Sequence, residues 1–226
     1  MNTELEQELI EKVKEDPSSL KLIEDQTEEI CLATIKQSGY VIGYVKKQTE
    51  RLCLEAVKQN PNAIIYIRDT TEAIYLEAVK QNGELLRYIY DNDRTEAVCL
   101  EAVKQNGESL QYVKNQTEEI CLAAVKQNGL SLEHVKNKTD RINVEAFNNN
   151  FDAVYFANIN KRNTALAALN AFLSHTHKDN GILTKIIKRY DNDKEFTDFY
   201  SKHKLWKYVD FNQLESLNLN KYAMLL

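Results

Sequence analysis

Residues 117–138 read TEEICLAAVKQNGLSLEHVKNK, and this stretch decides the fold. Thr117 opens it as a helix N-cap, with Glu118 and Glu119 in the first turn, where the helix dipole favours anions. Ile120, Cys121, Leu122, Ala124 and Val125 supply apolar surface, and Lys126 falls in the last turn, where a cation suits the dipole. Asn128-Gly129 predicts a helix stop, with the glycine free to take the left-handed conformation. That leaves a helix of about 11 residues, roughly 16 Å long. Leu130, Leu132, His134 and Val135 predict a second, shorter helical stretch, so the unit is helix–turn–helix. At ~100° per residue the apolar positions of the first helix cover an arc of roughly 200°, which suits a helix flanked by its own partner and by a neighbouring unit.

The same pattern recurs along the chain. The Lys-Gln dipeptide stands at 36–37, 58–59, 80–81, 104–105 and 126–127, in steps of 22, 22, 24 and 22 residues. Thr27, Thr49, Thr71, Thr95, Thr117 and Thr139 step in phase with it. The two extra residues fall in Tyr90-Asp91-Asn92-Asp93-Arg94, and a loop is where a length change costs least. Fainter units flank the array at 5–26, where Pro17 replaces Gly, and at 139–160; terminal units drift because one face meets water or a cap. The expected fold is all-α, a solenoid of about seven 22-residue helix–turn–helix repeats over residues 5–160, with a degenerate repeat and helical C-terminal cap over 161–226. A leucine-rich repeat shares the period, but it needs a buried apolar residue two before the Val, where this chain has Glu55, Glu77, Glu101, Ala33 and Ala123.

The AVKQNG core at 78–83, 102–107 and 124–129, and at 56–60 with Pro61 in place of Gly, resembles a family. It is similar to the short tandem repeats, a domain of unknown function, that abound in proteins of giant viruses infecting amoebae. The resemblance is good over 27–138 and weak over 5–160. It implies an α-helical repeat, a viral context and action in the host cytoplasm or viral factory, and it carries no catalytic residues to transfer.

Composition agrees with a globular chain: 43% hydrophobic, 28% charged, with 2 Pro and 6 Gly. No stretch approaches the ~18 consecutive apolar residues of a membrane span, so no membrane partner is expected. The opening MNTELEQELIEKVKED has no apolar core of a secretory signal, which predicts an intracellular protein. Residues 1–160 carry 18 Lys and Arg against 27 Asp and Glu, a net −9, whereas 161–208 carry 10 against 5, a net +5. Phosphate contacts need Lys and Arg, so the acidic array is a poor general binder of nucleic acid.

Candidate binding residues come from the ladders. Tyr44, Tyr66, Tyr88 and Tyr112, continued by His134 and Phe156, form one row; Lys36, Lys58, Lys80, Lys104 and Lys126 form another. Tyr is favoured at interfaces, but rim packing with the hydroxyl in water is the preferred reading of the first row, since Phe156 stands in it without a hydroxyl. For the second, Glu55–Lys58, Glu77–Lys80 and Glu101–Lys104 are spaced as i,i+3 pairs on exposed helix faces. Cys31, Cys53, Cys99 and Cys121 share one repeat phase, with Tyr75 in the same slot, which predicts small core residues rather than ligands or disulfides. The Asp91-Asn92-Asp93 and Asp191-Asn192-Asp193 turns lack the Gly and Glu of a calcium loop, and His175 and His177 at i,i+2 point apart on a helix, so no metal and no cofactor is expected.

Beyond residue 160, Thr164 predicts a helix N-cap, Asn180-Gly181 its stop, and ILTKIIKRY a second amphipathic helix, followed by an aromatic-rich region from Phe196 to Phe211. Lys202, Lys204 and Lys207 around Trp206 make a basic-aromatic cluster suited to nucleic acid or an acidic partner, although such lysines are usually a solvated face. The function class expected is a protein–protein interaction scaffold with a protein partner and no enzyme activity. Nucleic-acid association through the basic segment is the alternative, and homo-oligomeric self-assembly through the apolar AMLL terminus is a third.

Overall fold

The computed structural model describes residues 3–175, 180–190 and 192–208. Among these residues the chain forms ten α-helices and no strand: α1 Thr3–Glu15, α2 Glu28–Gln37, α3 Glu50–Gln59, α4 Glu72–Gln81, α5 Glu96–Gln105, α6 Glu118–Gln127, α7 Asp140–Asn149, α8 Arg162–Ser174, α9 Asn180–Tyr190 and α10 Lys194–His203. Each of α1 to α7 is followed by a six-residue 3₁₀ segment: Pro17–Leu22, Gly39–Tyr44, Pro61–Tyr66, Gly83–Tyr88, Gly107–Tyr112, Gly129–His134 and Phe151–Phe156. The fold is an all-α repeat of 22-residue units in which the second helical stretch is 3₁₀.

Two backbone details explain the alternation. Five of the repeat threonines turn their hydroxyl to the third backbone N–H of the helix they precede, at 3.3 Å for Ile30, Val98, Ile120 and Ile142 and 3.4 Å for Leu52, satisfying a donor that the helix leaves open, while Thr71 makes no such bond. At the other end the helix stops on an Asn or Ser with φ near −150°, whose N–H still bonds into the helix, as Asn60 N does to Ala56 O at 2.8 Å. In Asn60, Asn82, Asn106, Asn128 and Asn150 the side-chain oxygen then accepts the N–H two residues on, 2.9–3.1 Å away, and starts the 3₁₀ segment. One residue thus closes one helix and opens the next. The left-handed glycine expected at this stop does not occur: among the described residues Lys204 alone has positive φ, and it is not a glycine.

The chain's contacts cluster into two compact units, Met1–Ala123 and Ala124–Leu226. Within the first, α1 packs on α2, α2 on α3, α3 on α4 and α4 on α5, while the 3₁₀ segments pack on one another in the same order. The repeats therefore stack as two layers, one α and one 3₁₀. The core between them comes from fixed phases, such as Ile30, Cys31, Thr34 and Ile35 in α2 with Val41, Ile42 and Val45 after it. The buried phases span about 140°, narrower than expected, because the third apolar position (Leu32, Leu54, Leu76, Leu100) is only half-buried.

Within the second unit α7 packs on α8, α8 on α9 and α9 on α10. Thr164 lies inside α8, fully buried, and Lys161 is the N-cap residue; Asn180-Gly181 begins α9 rather than ending α8. Thr164 is spent instead on packing, its hydroxyl 3.4 Å from the amide nitrogen of buried Asn143, which takes the cysteine slot of α7. Around α10, Tyr190 and Phe196 stack at 4.3 Å between centroids, and Arg162 binds both Asp193 and Glu195. Asp193 caps α10 through Glu195 N and Phe196 N. Phe211 and the AMLL terminus lie outside the described residues.

Candidate functional site

The tyrosine row stands on the last residue of each 3₁₀ segment. Tyr44, Tyr66 and Tyr88 are 47%, 47% and 52% exposed, and Leu22, at the same phase in the preceding unit, is 72% exposed. Tyr112 is half-buried, as is His134 in the second unit, where Phe156 has the same phase. Exposure of a row of large apolar side chains is unusual for a stacked core and marks an available surface. Arg87 adds to it, with its guanidinium 4.7 Å from the Tyr88 ring centroid and a nitrogen donating to the Tyr88 hydroxyl at 2.7 Å.

The backbone under this row is braced by a residue type that the ladders did not single out. Gln26 donates to Leu20 O and Tyr44 O at 2.9 and 3.0 Å and accepts from Lys46 N at 2.8 Å. Gln48 repeats the pattern one unit on, with Ile42 O, Tyr66 O and Arg68 N. Each glutamine thus bonds the tail of its own 3₁₀ segment to that of the next unit, holding consecutive tyrosines in register. In the lengthened unit Arg94 does this work, donating to Ile89 O at 2.8 Å and to Tyr112 O at 2.6 Å. The signal was in the sequence, a Gln before the repeat Thr, but it reads as an ordinary loop residue.

Lys36, Lys58, Lys80, Lys104 and Lys126 are all exposed in the last turns of α2 to α6, on a different element from the tyrosines. Among the described residues Glu55–Lys58, Glu77–Lys80 and Glu101–Lys104 close no ion pair. Two long exposed side chains lose rotamer freedom for little Coulomb gain in water; Glu77 instead accepts from Gln81 Nε2 at 3.3 Å. The neighbouring glutamines join repeats: Gln59 Oε1 accepts Gly39 N at 2.6 Å and Gln105 Oε1 accepts Gly83 N at 2.7 Å. In the second unit Asn149 takes Gly129 N at 2.7 Å.

The four cysteines are free and buried. Burial pushes the Cys31 thiol up to about 11, with the Glu28 charge adding to it, and raises Cys53 and Cys99 likewise. Tyr75, in the same slot of α4, bonds Thr70 and lies 3.4 Å from Asp93 Oδ2, which the two-residue insertion supplies. Asp91–Asp93 forms a 3₁₀ turn. Among the described residues no group of three or more His, Cys, Asp or Glu converges as metal ligands would, and no helix is long and apolar enough to cross a membrane. His175 sits at the end of α8 with Nδ1 2.9 Å from Ala171 O, and His177 lies outside the described residues. Lys202 and Lys204 are exposed at the end of α10; the side chains of Trp206 and Lys207 lie outside the described residues.

One concave site opens on the 3₁₀ layer of the first unit, a pocket of about 510 Å³ lined by Asp16, Ser18, Tyr40, Gly43, Tyr44 and Tyr66, among others. It brings together two members of the tyrosine row, and no lysine of the ladder lines it.

The family described as domain of unknown function (DUF4116) matches residues 27–70, 71–117 and 96–140, together half of the chain. The chain belongs to this family. The matches at 27–70 and 71–117 each begin at a repeat threonine and cover two structural units, so a DUF4116 domain is here a pair of α/3₁₀ repeats. No curated protein and no solved structure matches the chain.

Proposed function

We propose that this DUF4116 array is a protein–protein interaction scaffold without catalysis, and that its partner docks on the 3₁₀ layer. The supporting observation is the row of exposed apolar side chains, Leu22, Tyr44, Tyr66 and Tyr88, carried at one phase, with the backbone braced at Tyr44 and Tyr66. Rigid aromatic side chains at fixed intervals give large contact area with little ordering cost on binding. Half-buried Tyr112 and His134 and the exposed lysines Lys36, Lys58, Lys80, Lys104 and Lys126 belong to the same candidate set. The array of residues 5–160 would bind, and 161–226 would cap it. An intracellular setting in a giant-virus infection belongs to the same proposal.

The test is capture of partners from lysate by the tagged full chain, with and without nuclease, compared with a Tyr44→Ser, Tyr66→Ser, Tyr88→Ser variant. A protein partner that survives nuclease and is lost with the triple variant supports the scaffold. Partners lost on nuclease treatment, with unchanged capture by the triple variant, move the function to nucleic acid and to the Lys202 and Lys204 region.

A further inference from the structure

The pocket on the 3₁₀ layer is built where three residues depart from the repeat. The N-cap slot of the 3₁₀ segment holds Ser38, Asn60, Asn82, Asn106, Asn128 and Asn150, but in the first unit it holds Asp16. A neutral Asn caps equally well, so capping does not call for the charge. The slot of Tyr40 is Ser18, Asn62, Glu84, Glu108, Leu130 and Asp152 elsewhere, and the slot of Gly43 is Lys21, Ile65, Arg87, Gln111, Glu133 and Tyr155. The repeat folds without an aromatic at the first and with a side chain at the second. All three departures meet in one pocket with Tyr44 and Tyr66.

Their geometry makes a corner. The Tyr40 and Tyr66 rings stand at 89° with centroids 5.8 Å apart, and Tyr40 is 43% exposed. Gly43 leaves space beside them: a Cβ there would sit 3.5 Å from the Tyr66 side chain, in ordinary contact. At the edge Asp16 accepts Ser18 N at 2.9 Å and Ser18 Oγ at 2.7 Å, both on Oδ1, so Oδ2 is outside these two bonds. The Ser18 bonds hold this carboxyl below the usual carboxylate range, with the field of Lys21 adding to them, so it is ionised at neutral pH. The unit that holds the pocket, residues 1–123, carries 14 Lys and Arg against 23 Asp and Glu, a net −9.

Perpendicular aromatic faces beside a carboxylate suit an organic cation, since the ring quadrupole and the fixed charge both attract it while the rings shed water from its apolar stem. We infer that the pocket formed by Asp16, Tyr40, Gly43, Tyr44 and Tyr66 is a binding site for an alkylammonium or guanidinium head group. Two sources share that chemistry: a Lys or Arg side chain of a docked polypeptide and a free small cation. The polypeptide source rests on the scaffold reading; the site itself does not.

The experiment titrates the full chain with tetramethylammonium, with N-acetyl-arginine methylamide and with its uncharged isostere N-acetyl-citrulline methylamide, following the tyrosine ring signals by NMR. The expected result is saturable shifts at Tyr40, Tyr44 and Tyr66 with the cations and none with citrulline. Asp16→Asn, which keeps the cap, weakens binding about tenfold, and Gly43→Leu, which fills the pocket, abolishes it. Circular dichroism of both variants reports that the fold is kept. Equal shifts with citrulline, or no shift at these rings, overturn the inference. A further arm uses an Arg-containing peptide: tighter binding than the amide identifies a polypeptide as the source and supports both readings. Equal affinity identifies a free cation and upholds the pocket while weakening the scaffold.

Discussion

Gly83 is small because of what stands opposite it. A Cβ at this position would lie 2.3 Å from Ala102 O of the next repeat, and Gly39 and Gly129 meet Ala56 O and Ala146 O at 2.4 and 2.6 Å. The backbone N–H of the same residue is delivered to the facing Gln or Asn. Gly83→Ala is therefore expected to destabilise by roughly 1–3 kcal/mol in urea unfolding, as overpacking against backbone does. Gly43→Ala, with only ordinary contacts, changes stability by less than about 1 kcal/mol. Cysteine behaves as a core residue at this scale. With the Cys31 thiol pushed up to about 11, against an ordinary value near 9, the folded state disfavours the thiolate. The stability this contributes is complete below pH ~9 and is lost as pH rises through about 11. Thermal unfolding followed from pH 8 to 11 should show that decline, and a Cys31→Ala variant should show less of it. Thiol reagents at neutral pH should label the native chain only as it unfolds, since the thiolate is the nucleophile.

At the scale of the element, neighbouring repeats are tied at helix starts as well as at helix ends. The cap threonine donates its hydroxyl to the first-turn glutamate of the preceding helix: Thr27 to Glu6 at 2.6 Å, Thr71 to Glu50 at 2.7 Å, Thr95 to Glu72 at 2.5 Å. Thr27 and Thr95 thus serve their own helices as acceptors and their neighbours as donors. The bridging glutamines tie the 3₁₀ tails. Gln48→Ala removes three hydrogen bonds at once and is expected to cost roughly 2–3 kcal/mol, read by urea unfolding. It should also broaden the Tyr66 ring signals, because the backbone under that row loses its brace. The lengthened unit keeps the tie by other means. Its Arg94 spans the longer loop, and Asp93 from the insertion reaches Tyr75, the large residue that replaces a cysteine. Arg94→Gln is expected to destabilise this unit, since glutamine is too short for both carbonyls, and hydrogen exchange of Ile89 to Val98 reports it.

Over the whole molecule the period, the helices and the capping were legible because each depends on residues a few positions apart. Thr before a Glu-rich first turn, a Lys-Gln end and an Asn-Gly stop are local patterns repeated often enough to be counted. Thr164 misled for the same reason: a threonine at a helix start resembles a cap, yet the Lys161 N–H and carbonyl pattern starts α8 three residues earlier and buries it. Stacking within the first unit leaves interior repeats packed on both sides and α1 on one, so amide exchange is expected to be slowest in α3 and α4 and fastest in α1. Uniform protection along the unit would show that it opens only as a whole.

The sequence by itself determined that this chain is an all-α repeat of 22-residue units and that its cysteines belong to the core. Those features follow from backbone propensity, capping and burial phase, which act within one or two turns. Only the tertiary structure decided why the glycines are glycines, which glutamines join the repeats, that the second stretch is 3₁₀, and that Asp16, Tyr40 and Gly43 share a pocket with two tyrosines of the row. Each of these depends on atoms from different repeats approaching within a few ångströms, a distance that the stacking of one unit on the next sets and that no local pattern of residues encodes.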